Sequence, residues 1–106
     1  MPFFKTDTAA LCFALIVGER ISIMDGFKKF RLTNIPREIG RLRRRFDIDI
    51  SSQQFDYKIK GRQPKYYFVY WLDKKKNKKK NIDKIYEYIE NNMIRDYNDP
   101  QLKIFR

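Results

Sequence analysis

Residues 33–46, TNIPREIGRLRRRF, leave little freedom for the rest of the chain. Ile35, Ile39, Leu42 and Phe46 recur at steps of four, three and four. At about 100° per residue they form one stripe along a helix. Arg37, Arg41 and Arg44 recur at the same spacing on the opposite side, with Asn34 and Arg45 beside them. A surface helix needs polar residues outside, but like charges at i and i+4 repel by a few tenths of a kcal/mol per pair. A polyanion outside the chain turns that cost into binding. The helix therefore requires a core on one side and invites an anionic partner on the other.

With 106 residues the chain is one domain by length. At 42% hydrophobic and 16% aromatic it can build a core, and it does not read as disordered. There is no histidine, and Cys12 is the single cysteine. That composition excludes disulfide frameworks within the chain, Cys/His zinc sites and His-based catalysis. Cys12 lies in an apolar run and reads as a small buried hydrophobe. No phosphate-binding loop, no Ser/His/Asp set and no metal-ligand spacing is present, so no cofactor is implied and an enzyme is not expected. The net charge of +11 has a sharp distribution. Residues 31–46 carry six basic residues against one acid, residues 74–81 carry six lysines and no acid, and the remainder sums to zero. Clustered charge of this kind is what a phosphate backbone rewards.

Along the chain, Thr6, Asp7 and Thr8 are candidate caps for a first helix that Gly18 ends. Its run Ala9–Val17 resembles a signal-peptide core, but Asp7 sits where positive charge is wanted and no small-x-small cleavage site comes after it. We read it as a buried helix, and the expected location is the cytoplasm, that of the host if a phage encodes the chain. Glu19-Arg20-Ile21 is a short extended link. Ser22 then caps a second helix, Ile23–Phe30, with Asp25 in its first turn, Met24, Phe27 and Phe30 inward, and Lys28 and Lys29 outward. Arg31-Leu32 is a turn, Thr33 caps the third helix, and Pro36 sits in its first turn, where a missing N–H costs nothing.

After Phe46 the period changes from helical to alternating. Asp47–Ser52 begins a strand, and Phe55–Lys60 continues it, either unbroken or bulged near Ser52–Gln54. Residues 61–64, GRQP, mark a hairpin tip, and Lys65–Leu72 (KYYFVYWL) is the strongest strand in the chain. Residues 74–81, KKKNKKKN, read as a basic linker or solvated arm. Asn81 caps a last helix, Ile82–Ile94, with an apolar stripe of Ile82, Ile85, Tyr86, Ile89 and Met93. Asp99-Pro100 is a break beyond that helix, and Leu102–Phe105 is a short tail.

Three helices and then a two-stranded hairpin is the winged helix-turn-helix order, here with an additional C-terminal helix. The expected fold class is α+β, mainly α. The expected domains are residues 1–73, a linker at 74–81, and a C-terminal helix and tail at 82–106 that packs on the wing or dimerises. In such an arrangement the third helix enters the major groove of duplex DNA. Asn34, Arg37 and Arg41, nearest its N-terminus, are then base-contact candidates, since Arg pairs with guanine and Asn with adenine. Arg43, Arg44 and Arg45 are phosphate candidates, as are Lys28 and Lys29 on the second helix. Lys58, Lys60, Arg62 and Lys65 make the wing basic. Lys74, Lys75, Lys76, Lys78, Lys79 and Lys80 extend the same phosphate footprint.

The stretch from Ala10 to Leu72 also resembles the small phage and mobile-element helix-turn-helix domain family. The residues that carry the resemblance are Gly18, Ile21-Ser22, Met24, Phe27, Phe30, Leu32-Thr33, Ile35, Ile39, Leu42-Arg43-Arg44-Arg45, Ile48 and Tyr70-Trp71-Leu72. The resemblance implies a winged helix, DNA binding and the role of a small transcriptional regulator. The chain departs from the family pattern at Gly26, where alanine is usual and where glycine weakens a helix by about 1 kcal/mol. It departs again at Phe46-Asp47, where glycine is usual, and at Asn34 and Pro36, so base preference does not carry over.

Other readings exist for several of these features. The aromatic run Tyr66–Trp71 suits base stacking in an RNA-binding module, although a core strand explains it as well, one alternate set packing on the helices and the other under the last helix. A protein-interaction or virion component is the alternative function, using that aromatic surface. Asp47 and Asp49 read as solvated charges or ion partners rather than a metal pair. A homodimer could form through the apolar first helix or the stripe of the last one, since palindrome readers are commonly two-fold symmetric.

Overall fold

The structure is a computed structural model that describes residues 3–94; the expected break at Asp99-Pro100 and the tail Leu102–Phe105 lie outside them. The elements run β1 (Phe3–Phe4), α1 (Asp7–Ile16), β2 (Ile21–Ser22), α2 (Ile23–Phe30), α3 (Ile35–Phe46), β3 (Ile50–Tyr57) and β4 (Lys65–Leu72), then a 3-10 turn (Lys74–Lys76), α4 (Lys79–Asn91) and β5 (Met93–Ile94). The described residues form an α+β arrangement of four α-helices and small antiparallel sheets. The larger sheet has the order β2-β4-β3, so the two-residue β2 adds an edge to the β3–β4 hairpin. The smaller pairs Phe3 with Ile94 and Phe4 with Met93, tying the two ends of the described chain together.

α1 is buried over most of its circumference, as an apolar run of this kind must be. Ala9, Leu11, Cys12, Ala14, Leu15 and Ile16 are all buried, against α2, α4, β1 and β4. Thr6 caps it by accepting from the Ala9 N–H at 3.1 Å. Gly18, at φ +92°, lets the chain turn away, with the Glu19 N–H reaching back to the Ala14 carbonyl at 3.0 Å. α2 begins on a capping box. The Asp25 N–H donates to Ser22 Oγ at 3.2 Å, and the Ser22 N–H donates to Asp25 Oδ2 at 3.0 Å.

The inward face of α2 differs from the sequence expectation. Phe30 is buried, but Met24 and Phe27 are 61% and 63% exposed, and the other buried position is Gly26. A Cβ built on Gly26 would lie 2.0 Å from Ile35 Cγ1. Glycine is thus what lets α3 lie close against α2, and its low helix propensity is the cost of that approach. With Gly26 facing α3, positions 24 and 27 rotate out to solvent, since residues at 100° intervals cannot share one face with position 26.

α3 buries Ile35, Ile39, Leu42 and Phe46 as its stripe requires. Its N-cap is Asn34, not Thr33: Asn34 Oδ1 accepts from the Arg37 N–H at 3.1 Å. Its C-terminus closes on Asp47 at φ +52°, and the Ile48 N–H returns to the Arg43 carbonyl at 3.2 Å.

The β3–β4 ladder is unbroken from Ile50↔Leu72 to Tyr57↔Lys65, so no bulge interrupts Ser52–Gln54. Ile50, Tyr70 and Leu72 lie on the core face at the base of the hairpin. Residues 52–67 are exposed, so the outer half of the hairpin extends beyond the core, with the start of α2 across a hollow from Tyr57 and Tyr67.

Residues 74–81 are not a linker. A 3-10 turn capped by Asp73 leads directly into α4, which begins at Lys79 rather than Ile82, and Asn81 sits inside the helix instead of capping it. Ile82, Ile85 and Ile89 of α4 join the core, with α1 and α3 as neighbours. The last helix therefore closes the helical core and leaves the outer hairpin uncovered. The apolar faces of α1 and α4, both readable as dimer surfaces, are in contact with each other inside the chain. α4 ends at Asn91, and Met93–Ile94 are extended as β5.

Candidate nucleic-acid interface

The basic residues of α3 divide into two groups. Arg37, Arg41 and Arg44 lie in a row on the exposed side, opposite the buried stripe. Arg41 keeps one contact, donating from Nη1 to Glu38 Oε1 at 3.3 Å, with its side chain still 58% exposed. Glu38 itself is nearly buried, so this acid orients Arg41 along the helix and screens part of its charge.

Arg43 and Arg45 are directed elsewhere. Arg43 Nη2 donates to the Ile50 carbonyl, where β3 starts, and so fixes the joint between α3 and the sheet. Arg45 lies over the Tyr88 ring at 4.4 Å and over Phe46 at 5.4 Å, with Phe46 and Tyr88 themselves 5.7 Å apart. Its guanidinium seals α4 against the end of α3. Of the three arginines read from sequence as phosphate ligands, Arg44 alone has no such tie. Their run of adjacent charges hid this, because consecutive helical positions point 100° apart.

Asn34 is also committed. Its Oδ1 is the helix cap, and a bidentate contact with adenine would need that same oxygen. Only its Nδ2 remains for a ligand, which makes Asn34 a weaker base reader than the sequence suggests.

In the second basic segment the asparagines hold the fold and the lysines face out. Asn77 accepts from the Asp49 N–H at 2.6 Å and donates to the carbonyls of Asp49 and Asp73 at 3.1 and 2.9 Å. Asn81, buried, donates to the Asp47 carbonyl at 3.0 Å. The two asparagines, Asn77 in the extended link between the 3-10 turn and α4 and Asn81 inside α4, bolt the segment to the loop after α3. Lys74, Lys75, Lys76, Lys78, Lys79 and Lys80 are all exposed. Asp47 and Asp49 serve here through their backbone groups, and among the described residues no cluster of three or more acids, histidines or cysteines could hold a metal.

The remaining candidates lie on two other elements. Lys28 and Lys29 are exposed on α2, Lys29 within 4.0 Å of Asp25. Lys58, Lys60, Arg62 and Lys65 surround the hairpin tip, where Gly61 takes φ +80° and the Arg62 N–H donates to the Ile59 carbonyl at 2.9 Å.

Burial pushes the Cys12 thiol up to about 12, with the Arg45 charge opposing the shift in part. At neutral pH the thiol is protonated and is no nucleophile. Among the described residues no helix is long and apolar enough to cross a membrane. Comparison with protein-family models, curated proteins and solved structures finds no match for this chain.

Proposed function

We propose that this chain is a winged helix-turn-helix protein that binds double-stranded DNA. The observation that carries the reading is the exposed row Arg37, Arg41, Arg44 on a helix whose other side is buried. The order α1, β2, α2, α3, β3, β4, with β2 on the edge of the hairpin, supports it. In this reading α3 lies in the major groove, with Arg37 and Arg41 toward base edges. Arg44, the lysines of residues 74–80 and the cations of the hairpin tip neutralise phosphates. Operator binding by a small regulator is the role that the family resemblance suggests.

The test is binding to duplex DNA as a function of salt. Each phosphate neutralised contributes about −0.9 to the slope of log K against log salt, so a steep fall is expected. A flat dependence, or undiminished binding after Arg37→Ala with Arg41→Ala, overturns the proposal.

A further inference from the structure

The outer half of the hairpin presents a surface that neither the core nor the arginine row uses. Its origin is a change of parity along β3. Ile48 and Ile50 are even-numbered and buried, while Phe55 and Tyr57 are odd-numbered. A bulge would have returned both pairs to one face. Because the ladder is unbroken, Phe55 and Tyr57 lie on the face away from the core, opposite Tyr67 and Lys65.

The rings on this face form a platform. Phe55 and Tyr67 stack at 5.6 Å with an interplanar angle of 20°, and Tyr57 meets Tyr67 at 6.0 Å. All three remain 37–41% exposed. Across from Tyr57 and Tyr67 stand Ser22, Ile23 and Met24, and the five residues line an open hollow of about 580 Å³. At the inner end the face is closed by Arg20, whose guanidinium lies 4.2 Å from the centre of the Trp71 ring.

The charge on the hairpin tip beside the platform has one sign. From Tyr57 to Lys65 the tip carries Lys58, Lys60, Arg62 and Lys65 and no acid. Asp56 sits on the opposite face with its carboxylate accepting from Gln54 Nε2 at 3.0 Å. Asp25 on α2 is held by the Ser22 capping box. Flat aromatic faces bordered by cations suit a ligand that carries flat apolar groups on an anionic backbone. In a duplex those groups are already stacked on one another, so the ligand has to be an unpaired strand.

We infer that the Phe55–Tyr57–Tyr67 platform is a second nucleic-acid site, which stacks unpaired bases while Lys58, Lys60, Arg62 and Lys65 hold the phosphates of the same strand. Its rings are distinct from the α3 row, while its four cations are those of the hairpin tip that the duplex reading also assigns to phosphates; the stacking of unpaired bases on Tyr67 does not depend on that reading.

The experiment compares full-length variants for binding to a short labelled oligo-dT strand and to a blunt duplex hairpin without unpaired bases. Tyr67→Ala should weaken oligo-dT binding roughly 5- to 150-fold, the effect of losing one base–aromatic stack, and leave the blunt duplex unchanged. Tyr67→Phe should retain oligo-dT binding. Tyr67→Leu, which keeps an apolar strand residue but no ring, should lose it while the circular dichroism spectrum stays that of the parent. Oligo-U in place of oligo-dT distinguishes an RNA from a DNA strand, and binding of either supports the site. Oligonucleotide binding by Tyr67→Leu equal to the parent overturns it. So does the absence of binding to both strands by the parent chain, and a stoichiometric protein partner on this face would then explain the exposed rings.

Discussion

The two basic segments of this chain carry similar charge and use it differently. In α3 the arginines both build and project: Arg43 holds the start of β3 and Arg45 seals α4, while Arg37, Arg41 and Arg44 face solvent. In residues 74–81 the labour is divided by residue type. Asn77 and Asn81 make the bonds to the Asp47–Asp49 loop, and the lysines stay outside. The difference comes from chemistry. Arginine has a planar fork with a weakly hydrated face, so it can sit on a ring or hold a carbonyl while part of it stays wet. The lysine ammonium is a strongly hydrated point charge and gains little from such a position. Net charge alone therefore does not say which segment binds and which one holds the fold.

The comparison can be broken by separating binding from stability. The largest effect is expected from Arg37→Ala, Arg41→Ala and Arg44→Ala together. Duplex affinity should fall by about a hundredfold or more at moderate salt, since each good base contact is worth about 1–3 kcal/mol, with the melting temperature nearly unchanged. A large loss of stability instead would mean that the row is part of the fold.

Arg43→Ala should do the reverse. Losing a charged hydrogen bond to the Ile50 carbonyl costs about 1.5–3 kcal/mol, read by urea denaturation. Asn81→Ala should cost about 1 kcal/mol, because it removes a side-chain hydrogen bond to the Asp47 carbonyl at a part-buried contact. Replacing the six lysines of residues 74–80 by glutamine, by contrast, should leave the denaturation midpoint in place and flatten the salt dependence of duplex binding. If that variant unfolds, or if Asn81→Ala does not lose stability, the division of labour in this segment is refuted.

Gly26→Ala tests the seat on which α3 depends. Helix propensity favours alanine by about 1 kcal/mol, but the new methyl meets Ile35, and overpacking typically costs about 1–3 kcal/mol. A net loss of stability of roughly 1 kcal/mol is expected, and a gain would show that Ile35 can move aside. Arg45→Ala should have the smallest effect. The contact with Tyr88 is partly exposed, and such pairs are worth about 0.5–1 kcal/mol. The Cys12 thiol, buried beneath this corner, should resist alkylation in the native protein and react once it is unfolded.

Much of the architecture was legible because it rests on local rules. The ends of α1 and α2 are set by Thr6, Ser22 and Gly18, and the period change after Phe46 marks the joint between helices and hairpin. The candidate site was less legible. Periodicity places Arg44 opposite the buried stripe and Arg43 and Arg45 about 100° to either side of it, but that those two are taken up by the Ile50 carbonyl and the Tyr88 ring depends on where the sheet and the last helix lie. The lysine run looked like a solvated arm because its composition is simple, while its two asparagines find partners in a loop about thirty residues earlier in the chain. Met24 and Phe27 looked internal because they are apolar, yet α2 turns on Gly26 toward Ile35.

By itself, then, the sequence determined that this chain would set an apolar-striped helix with an arginine row beside a hairpin, since hydrophobic period and capping act within a few residues. Tertiary structure decided which cations were left free, which aromatics stayed in water and where the last helix closed the core. Those outcomes depend on contacts between residues far apart in the chain, where a single close approach at Gly26 or one unbroken register along β3 selects the face that every neighbouring side chain will present.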